Sequence, residues 1–250
     1  MNTKVIVSLT SHGVRVKNVM RTIFSLINGT FKDIKIVLTL YKDDVHSINE
    51  DLQLCIDNDI VELIIADKDL GPHCKYFYCM KKYKNLPIIT VDDDIQYPKD
   101  TIENMYNTWL KHKDSIIARR SFNISFTNGK INSYLSWLNN FSGITSEPSH
   151  KVFATGVGGI FYPPDALKIS DDLIPEILDM KYDDDTYLKV LELRNDVKVM
   201  NIVHTGNYNV LYAKNLDDEE TQSIALYKRN INCYDKNISK YIELFNKCKE

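Results

Sequence analysis

Between Lys4 and Ala66 the chain alternates between two hydrophobic periods. Lys4 to Leu9 (KVIVSL), Ile34 to Leu40 (IKIVLTL) and Val61 to Ala66 (VELIIA) are short, β-branched apolar runs of the kind that form buried strands. Between them, Val16, Val19, Met20, Ile23, Phe24 and Ile27 recur at helical spacing until Asn28-Gly29. Val45, Ile48, Leu52, Cys55 and Ile56 do the same within Asp43 to Asp59. Strands that alternate with helices in this way join as parallel neighbours through right-handed crossovers, which predicts an α/β protein. Ligands of such sheets lie beyond the carboxyl ends of the strands. Thr10, Ser11, Tyr41 and Asp67 all fall there.

A further apolar run, Ile88 to Val91, ends in Asp92, Asp93 and Asp94, and the chain then turns at Tyr97-Pro98. Adjacent carboxylates repel, and an unpaired one is costly to bury. A strand tip that carries them needs a counter-charge, and a hard divalent cation shared with a diphosphate is the natural one. Alternation along a strand sends Asp92 and Asp94 to one side and Asp93 to the other, which predicts an Asp-x-Asp ligand pair. A solvated acidic turn is the plainer reading.

Three more stretches carry chemistry. Lys75 stands near the start of a helix predicted over Lys75 to Tyr83, where it can meet an anion or remain a surface lysine. Gly156, Gly158 and Gly159 in ATGVGGIFYPPDAL remove side chains where something approaches the backbone. No Gly-Lys-Ser/Thr follows them, and Tyr162-Pro163-Pro164 stands where a dinucleotide fingerprint would open a helix. Asp183, Asp184 and Asp185 open a helix whose buried side is Tyr187, Leu188, Val190 and Leu191. One or two acidic residues suffice for capping, so a third is available as a general base.

The rest is sparser. A helix is predicted over Lys99 to Lys113, a strand over Ser115 to Arg119, and a hairpin from Phe122 to Phe126 and Lys130 to Tyr134 around Asn128-Gly129. Trp137 and Phe141 are either core or a platform for a sugar ring. Lys198 to Val203 is a strand ending at His204, and Leu216 to Arg229 and Ile238 to Lys247 are amphipathic helices. A net charge of -3 and no long basic run argue against a nucleic-acid partner. No apolar run approaches the ~20 residues of a membrane span. Five cysteines without CxxC spacing read as free thiols in a reducing cytosol, even with His73 beside Cys74. The expected location is cytoplasmic.

Three blocks in register, TSHGVRVKNVMRTIFSLINGTFKDIKIVLTL, ITVDDDIQYPKD, and TGVGGIFYPPDAL followed by YDDDTYLKVLEL, resemble bacterial GT-A-fold glycosyltransferases. The likeness is to small family-2-like enzymes encoded in capsule and lipopolysaccharide gene clusters, and it runs from about Val5 to His204. It implies a Rossmann-like, mostly parallel central sheet flanked by helices, with helices at the C-terminus. The domain would occupy residues 1–210, a nucleotide-binding half to about 98 and an acceptor half beyond it, with residues 211–250 packed on it as a helical extension. Thr10 and Arg15 would lie against the donor nucleotide, Asp67 against its base or ribose, and Lys75 against its diphosphate. Asp94 would ligate manganese or magnesium, with Asp92 nearer the ribose, Asp93 also on the donor side, and His204 completing the metal or diphosphate site. Gly158 and Gly159 belong to the loop where donor and acceptor meet. The base would be Asp184, Asp185 or Asp183, since two registers of the acidic motif fit.

The implied reaction moves a sugar, most simply from a UDP-sugar, to a hydroxyl of a glycan or lipid-linked acceptor, with inversion. The protein would be without a transmembrane segment and in peripheral contact with the inner membrane at most. Two alternatives stand beside it: a nucleotidyltransferase that makes the sugar nucleotide, and an inactive sugar-nucleotide-binding module. The first usually shows a Gly-rich basic loop after the first strand, which TSHGVRVKN lacks.

Overall fold

A computed structural model describes residues 3–137, 143–203 and 233–249, and the backbone at 214–215. Its first part is β1 (Val5–Thr10), α1 (Met20–Ile27), β2 (Ile34–Tyr41), α2 (Glu50–Asp57), β3 (Val61–Ala66), α3 (Cys74–Lys82) and β4 (Ile88–Thr90). β1 pairs in parallel with both β2 and β4, and β2 with β3. The β-α-β alternation thus builds the sheet half that its periodicity predicts.

The chain then continues through β5 (Ile95–Gln96), α4 (Thr101–Trp109), β6 (Ile116–Ala118), β7 (Ser121–Asn123), β8 (Phe126–Thr127) and β9 (Lys130–Ile131). After α5 (Tyr134–Trp137) come β10 (Val152–Ala154), β11 (Ile160–Tyr162), α6 (Ile174–Asp179), α7 (Asp184–Arg194) and β12 (Val199–Asn201). The last described elements are β13 (Lys214–Asn215), α8 (Tyr234–Lys240) and α9 (Ile242–Phe245). The central sheet has the order β12-β6-β11-β4-β1-β2-β3. β12 is parallel to β6, and β11 alone runs against its neighbours β4 and β6. The expected class, a mostly parallel sheet flanked by helices with further helices at the C-terminal end, is the one observed.

Strand alternation divides the core. Val5, Val7 and Leu9 of β1 face a cluster with Ile23, Leu38, Leu52 and Met105, while Ile6 faces Val37, Cys79 and Ile88 on the opposite side. A separate cluster joins Phe122, Trp137, Phe153, Val190 and Leu193 to Tyr234, Ile238 and Phe245 of the C-terminal helices. Trp137 is fully buried there, so it is core and no sugar platform; Phe141 lies outside the described residues.

Several predicted elements are shorter than their hydrophobic pattern. The helix expected from Val16 begins as a 3-10 turn, Gly13–Asn18, and becomes α-helical only at Met20. The Asp43 to Asp59 helix breaks at Ile48, whose backbone is extended, and restarts where the Asn49 side chain accepts the Leu52 N–H at 3.0 Å. The Lys99 to Lys113 helix is confined to Thr101–Trp109. In the predicted hairpin only Phe126–Thr127 and Lys130–Ile131 pair, around Asn128 and Gly129 with left-handed φ values of 50° and 75°. Phe122 pairs instead with Phe153 of β10, and Tyr134 opens α5. The Ile238 to Lys247 helix is divided at Tyr241 into α8 and α9, and the Leu216 to Arg229 helix lies outside the described residues.

Candidate active site

Because β11 is antiparallel to β4, with Ile160 opposite Thr90 and Tyr162 opposite Ile88, its entry turn Gly156–Gly158 meets the carboxyl end of β4. Such a change of strand direction opens a crevice beside the strand ends. The starts of α3 and α7 reach the same place. Lys75, in the first turn of α3, is fixed by its backbone carbonyl, which accepts the Ser8 hydroxyl of β1 at 2.6 Å.

The Lys75 ammonium is the hub. It lies 3.0 Å from Asp92 Oδ1 and 2.7 Å from Asp184 Oδ2, with only 8% of its side chain exposed. Burial works against its charge, yet Asp184, Asp92 and Asp185 hold its pKa well above the ordinary lysine value. Asp184 is held below the usual carboxylate range: burial opposes this, and Lys75 prevails. Asp185 goes the opposite way, because burial and then the Asp184 charge push its carboxyl well above that range. Its Oδ1 accepts the Gly156 N–H at 3.0 Å. Asp183 is spent on structure: one oxygen caps α7 by accepting the Thr186 N–H at 3.2 Å, and the other accepts the Asn237 amide at 2.7 Å.

A second cation serves the other two aspartates. Arg15, on the 3-10 turn after β1, donates to Asp93 from Nε and from Nη2 (2.9 Å) and pairs with Asp94 through Nη2. Burial opposes the Arg15 charge, but Asp93 and Asp94 raise its pKa. Ser11 also donates to Asp93, and Thr22 of α1 donates to the Asp93 carbonyl at 2.8 Å. The expected alternation therefore fails here. The β4 ladder ends at Thr90, so pleating no longer governs Asp92 to Asp94: Asp93 and Asp94 share Arg15, and Asp92 turns to Lys75.

Other predicted residues are placed as follows. The Thr10 hydroxyl donates to the Thr39 carbonyl at 2.7 Å, tying β1 to β2. Asp67 is exposed beyond β3 and makes none of the contacts in either cluster. His204 lies outside the described residues. Of the glycines, Gly156 belongs to the site: a Cβ there would stand 2.8 Å from Lys75 Nζ and 3.3 Å from Asp92 Oδ1. Gly158 is needed for packing, since its Cβ would meet Arg120 Cβ and backbone N at 2.9 Å. Gly159 takes a left-handed φ of 84°. Gly158→Ala must displace backbone and is expected to cost about 1–3 kcal/mol of stability in urea unfolding.

Two contributors were not read as site residues from the sequence. The Tyr97 hydroxyl accepts the Asp92 N–H at 2.9 Å and so fixes the start of the acidic turn. Its signal, a tyrosine before Pro98, is too common to single out. Asn237 had no signal at all.

Among the described residues no three His, Cys, Asp or Glu side chains converge as a ready-made metal shell. The donor chemistry nevertheless fits a cation such as magnesium or manganese, which takes one or two carboxylates and completes its shell with water and phosphate oxygens. Asp92 and Asp94 are hard oxygen donors at the crevice, with side chains 28% and 22% exposed.

No protein-family model matches the chain, and no curated protein does. Among solved structures, the 4-diphosphocytidyl-2C-methyl-D-erythritol synthase of Anaerococcus prevotii DSM 20548 superposes with a TM-score of 0.52 at 11% identity, covering 91% of this chain and 97% of that one. The two share a fold. S. aureus TarS 1-349 in complex with UDP gives a TM-score of 0.49 at 13% identity, over 80% of this chain and 58% of that one. The same TarS fragment with UDP-GlcNAc gives 0.44 at 15%, over 67% and 47%, so this chain spans about half the length of that relative.

Proposed function

We propose that the chain is a metal-dependent GT-A-type glycosyltransferase that moves a sugar from a nucleoside-diphosphate sugar to an acceptor hydroxyl, with inversion. The observation that carries this reading is the Lys75 ammonium held between Asp92 at the tip of β4 and Asp184 at the start of α7, with Asp185 beside it on Gly156. In this reading Asp92 stands on the donor side of Lys75, and Asp184 with Asp185 on the acceptor side.

Asp185 is the base in this reading. Burial and the Asp184 charge make its carboxylate a stronger base than an ordinary aspartate, which suits a group that takes a proton from a hydroxyl. The acceptor oxygen, as it loses that proton to Asp185, bonds to the anomeric carbon, and the bond from that carbon to the diphosphate oxygen breaks in line. Lys75 and Arg15 face the charge that collects on the departing diphosphate. Asp184 holds Lys75 in place, and Asp183 caps the helix that carries Asp184 and Asp185. Asp94 and Asp92 would hold manganese or magnesium, which would supply Lewis-acid neutralisation of the leaving group. A UDP-sugar donor and a glycan or lipid-linked acceptor of surface polysaccharide complete the proposal. No helix among the described residues is long and apolar enough to cross a membrane, and the proposed place of work is the cytoplasm or the cytoplasmic face of the membrane.

The fold shared with the diphosphocytidyl-methylerythritol synthase favours one competing reading, a nucleotidyltransferase. Against it, the turn after β1 is a single 3-10 stretch, Gly13–Asn18, with one glycine and no phosphate-cradling loop.

A thermal-shift panel of UDP, GDP, CMP, TDP and their sugars, with and without manganese, tests the proposal. One nucleoside diphosphate should raise the melting temperature only with the metal; a ligand at a hundred times its Kd stabilises by about 2.7 kcal/mol. Asp185→Asn should keep that shift and lose about 10²- to 10⁴-fold in turnover. A shift without turnover would favour the inactive-module reading, and no shift with any ligand would return Asp92 to Asp94 to a plain acidic turn.

A further inference from the structure

The C-terminal helix α8 is built into the start of α7. Its Asn237 amide donates to Asp183 Oδ2 at 2.7 Å, and both side chains are buried, 6% and 3% exposed. Two residues earlier, Asp235 Oδ1 accepts the Tyr134 N–H at 2.7 Å, and the Tyr234 ring stacks on Tyr134 with centroids 4.1 Å apart. These contacts fix α8 against α5, and through Tyr134 against Phe153 of β10. The other oxygen of Asp183 caps the helix that begins with Asp184 and Asp185. Asn237 is therefore one bond away from the capping carboxylate and touches neither Lys75 nor the Asp92 turn. A surface tail would not need a buried amide aimed at a buried carboxylate, because an unpaired group on either side costs free energy.

We propose that Asn237 is a positioning residue: through Asp183 it sets the start of α7, and with it the placement of Asp184 and Asp185. The proposal rests on the transferase reading for its catalytic meaning, and on geometry alone for the coupling. The groups that face Asp183 are Asp184, Asp185 and Thr186 on its own helix and Tyr234 and Asn237 on α8. Burial lifts Asp183 to about 6, and the Asn237 bond opposes that rise.

The test uses the full chain with Asn237→Ala and Asn237→Asp. Carboxylate carbon NMR follows the titration of Asp183 and Asp185, calorimetry measures UDP affinity with manganese, and turnover is measured with UDP-glucose, UDP-GlcNAc and GDP-mannose. In Asn237→Ala the Asp183 midpoint should rise above its wild-type value, because the donor that favours the charged form is gone, and the Asp185 midpoint should move with it. Turnover should fall about tenfold while UDP affinity stays within about twofold. Asn237→Asp keeps the bond while the two carboxyls share one proton, so its turnover should approach wild type in mild acid and fall towards that of Asn237→Ala as pH rises. It also serves should the alanine variant fail to fold. Unmoved Asp183 and Asp185 midpoints in a folded variant would overturn the proposal. So would unchanged turnover in both variants of an active wild type. A wild type that turns over none of the three donors under any condition would sink the transferase reading for them, and the two midpoints would still decide whether Asn237 positions the helix start.

Discussion

Lys75→Met should cost about 3–5 kcal/mol of folding stability at neutral pH, the penalty for removing one partner of a buried ion cluster. The substitution keeps the length and packing of the stem but leaves Asp92, Asp184 and Asp185 facing one another across the space the ammonium filled. The loss should also depend on pH in a defined direction. In the wild type Lys75 holds Asp184 below the usual range, so that contribution is present above the unfolded pKa and fades as pH falls. Without the ammonium, burial and its neighbours would raise Asp184 instead. The folded variant would then bind more protons than its unfolded chain from about pH 4 upward. Its stability should fall as pH rises through that window, and the gap to wild type should widen from pH 5 to pH 8. Urea unfolding across that range measures it. Parallel curves for the two proteins would mean that Lys75 does not neutralise this cluster.

Gly156→Ala should behave in the opposite way, sparing stability and impairing function. Its added methyl would stand 2.8 Å from Lys75 Nζ and 3.6 Å from Asp185 Oδ1. The nearest atom is the far end of a flexible side chain, so the contact can relax by a sub-ångström shift of the ammonium that keeps its pairing with Asp92 and Asp184. Stability should change by less than about 1 kcal/mol, while turnover falls by up to about 10²-fold, the scale of a full ångström's displacement at a reacting centre. Thermal melting and steady-state kinetics on one preparation separate the two effects. A variant with wild-type turnover would show that Gly156 serves the backbone alone.

These two variants also mark what the sequence could and could not disclose. The strands from Val5 to Ala66 were legible because short β-branched apolar runs stand apart from the longer 3.6-residue periodicity between them. The acidic tip after Ile88–Thr90 was legible for the same reason. The directions of Asp92, Asp93 and Asp94 were not. Alternation holds only while a ladder holds, and the ladder stops at Thr90. Gly156, Gly158 and Gly159 are alike in sequence, yet one makes room for an ammonium, one for the Arg120 backbone, and one takes a left-handed turn. Asp183 stood among the candidate bases, and only the cap and Asn237 separate it from Asp184 and Asp185. No pattern joins Asp183 to Asn237, because the two lie 54 residues apart on helices brought together by a core that includes Val190, Leu193 and Ile238.

The reversal at β11 has a consequence for how the protein comes into being. β1 to β4 follow one another closely along the chain and need nothing from the C-terminal half to pair. Thr90, by contrast, waits for Ile160, and Asp183 waits for Asn237. Contacts of large sequence separation are the slow ones, since closure of a long loop precedes any reward for it. During synthesis the ribosome therefore releases Arg15, Lys75 and Asp92 well before the residues that oppose them. A nascent chain ending just past β4 carries the face proposed for a diphosphate and lacks the carboxylate proposed to act on an acceptor. On that reading, competence arrives only with α8.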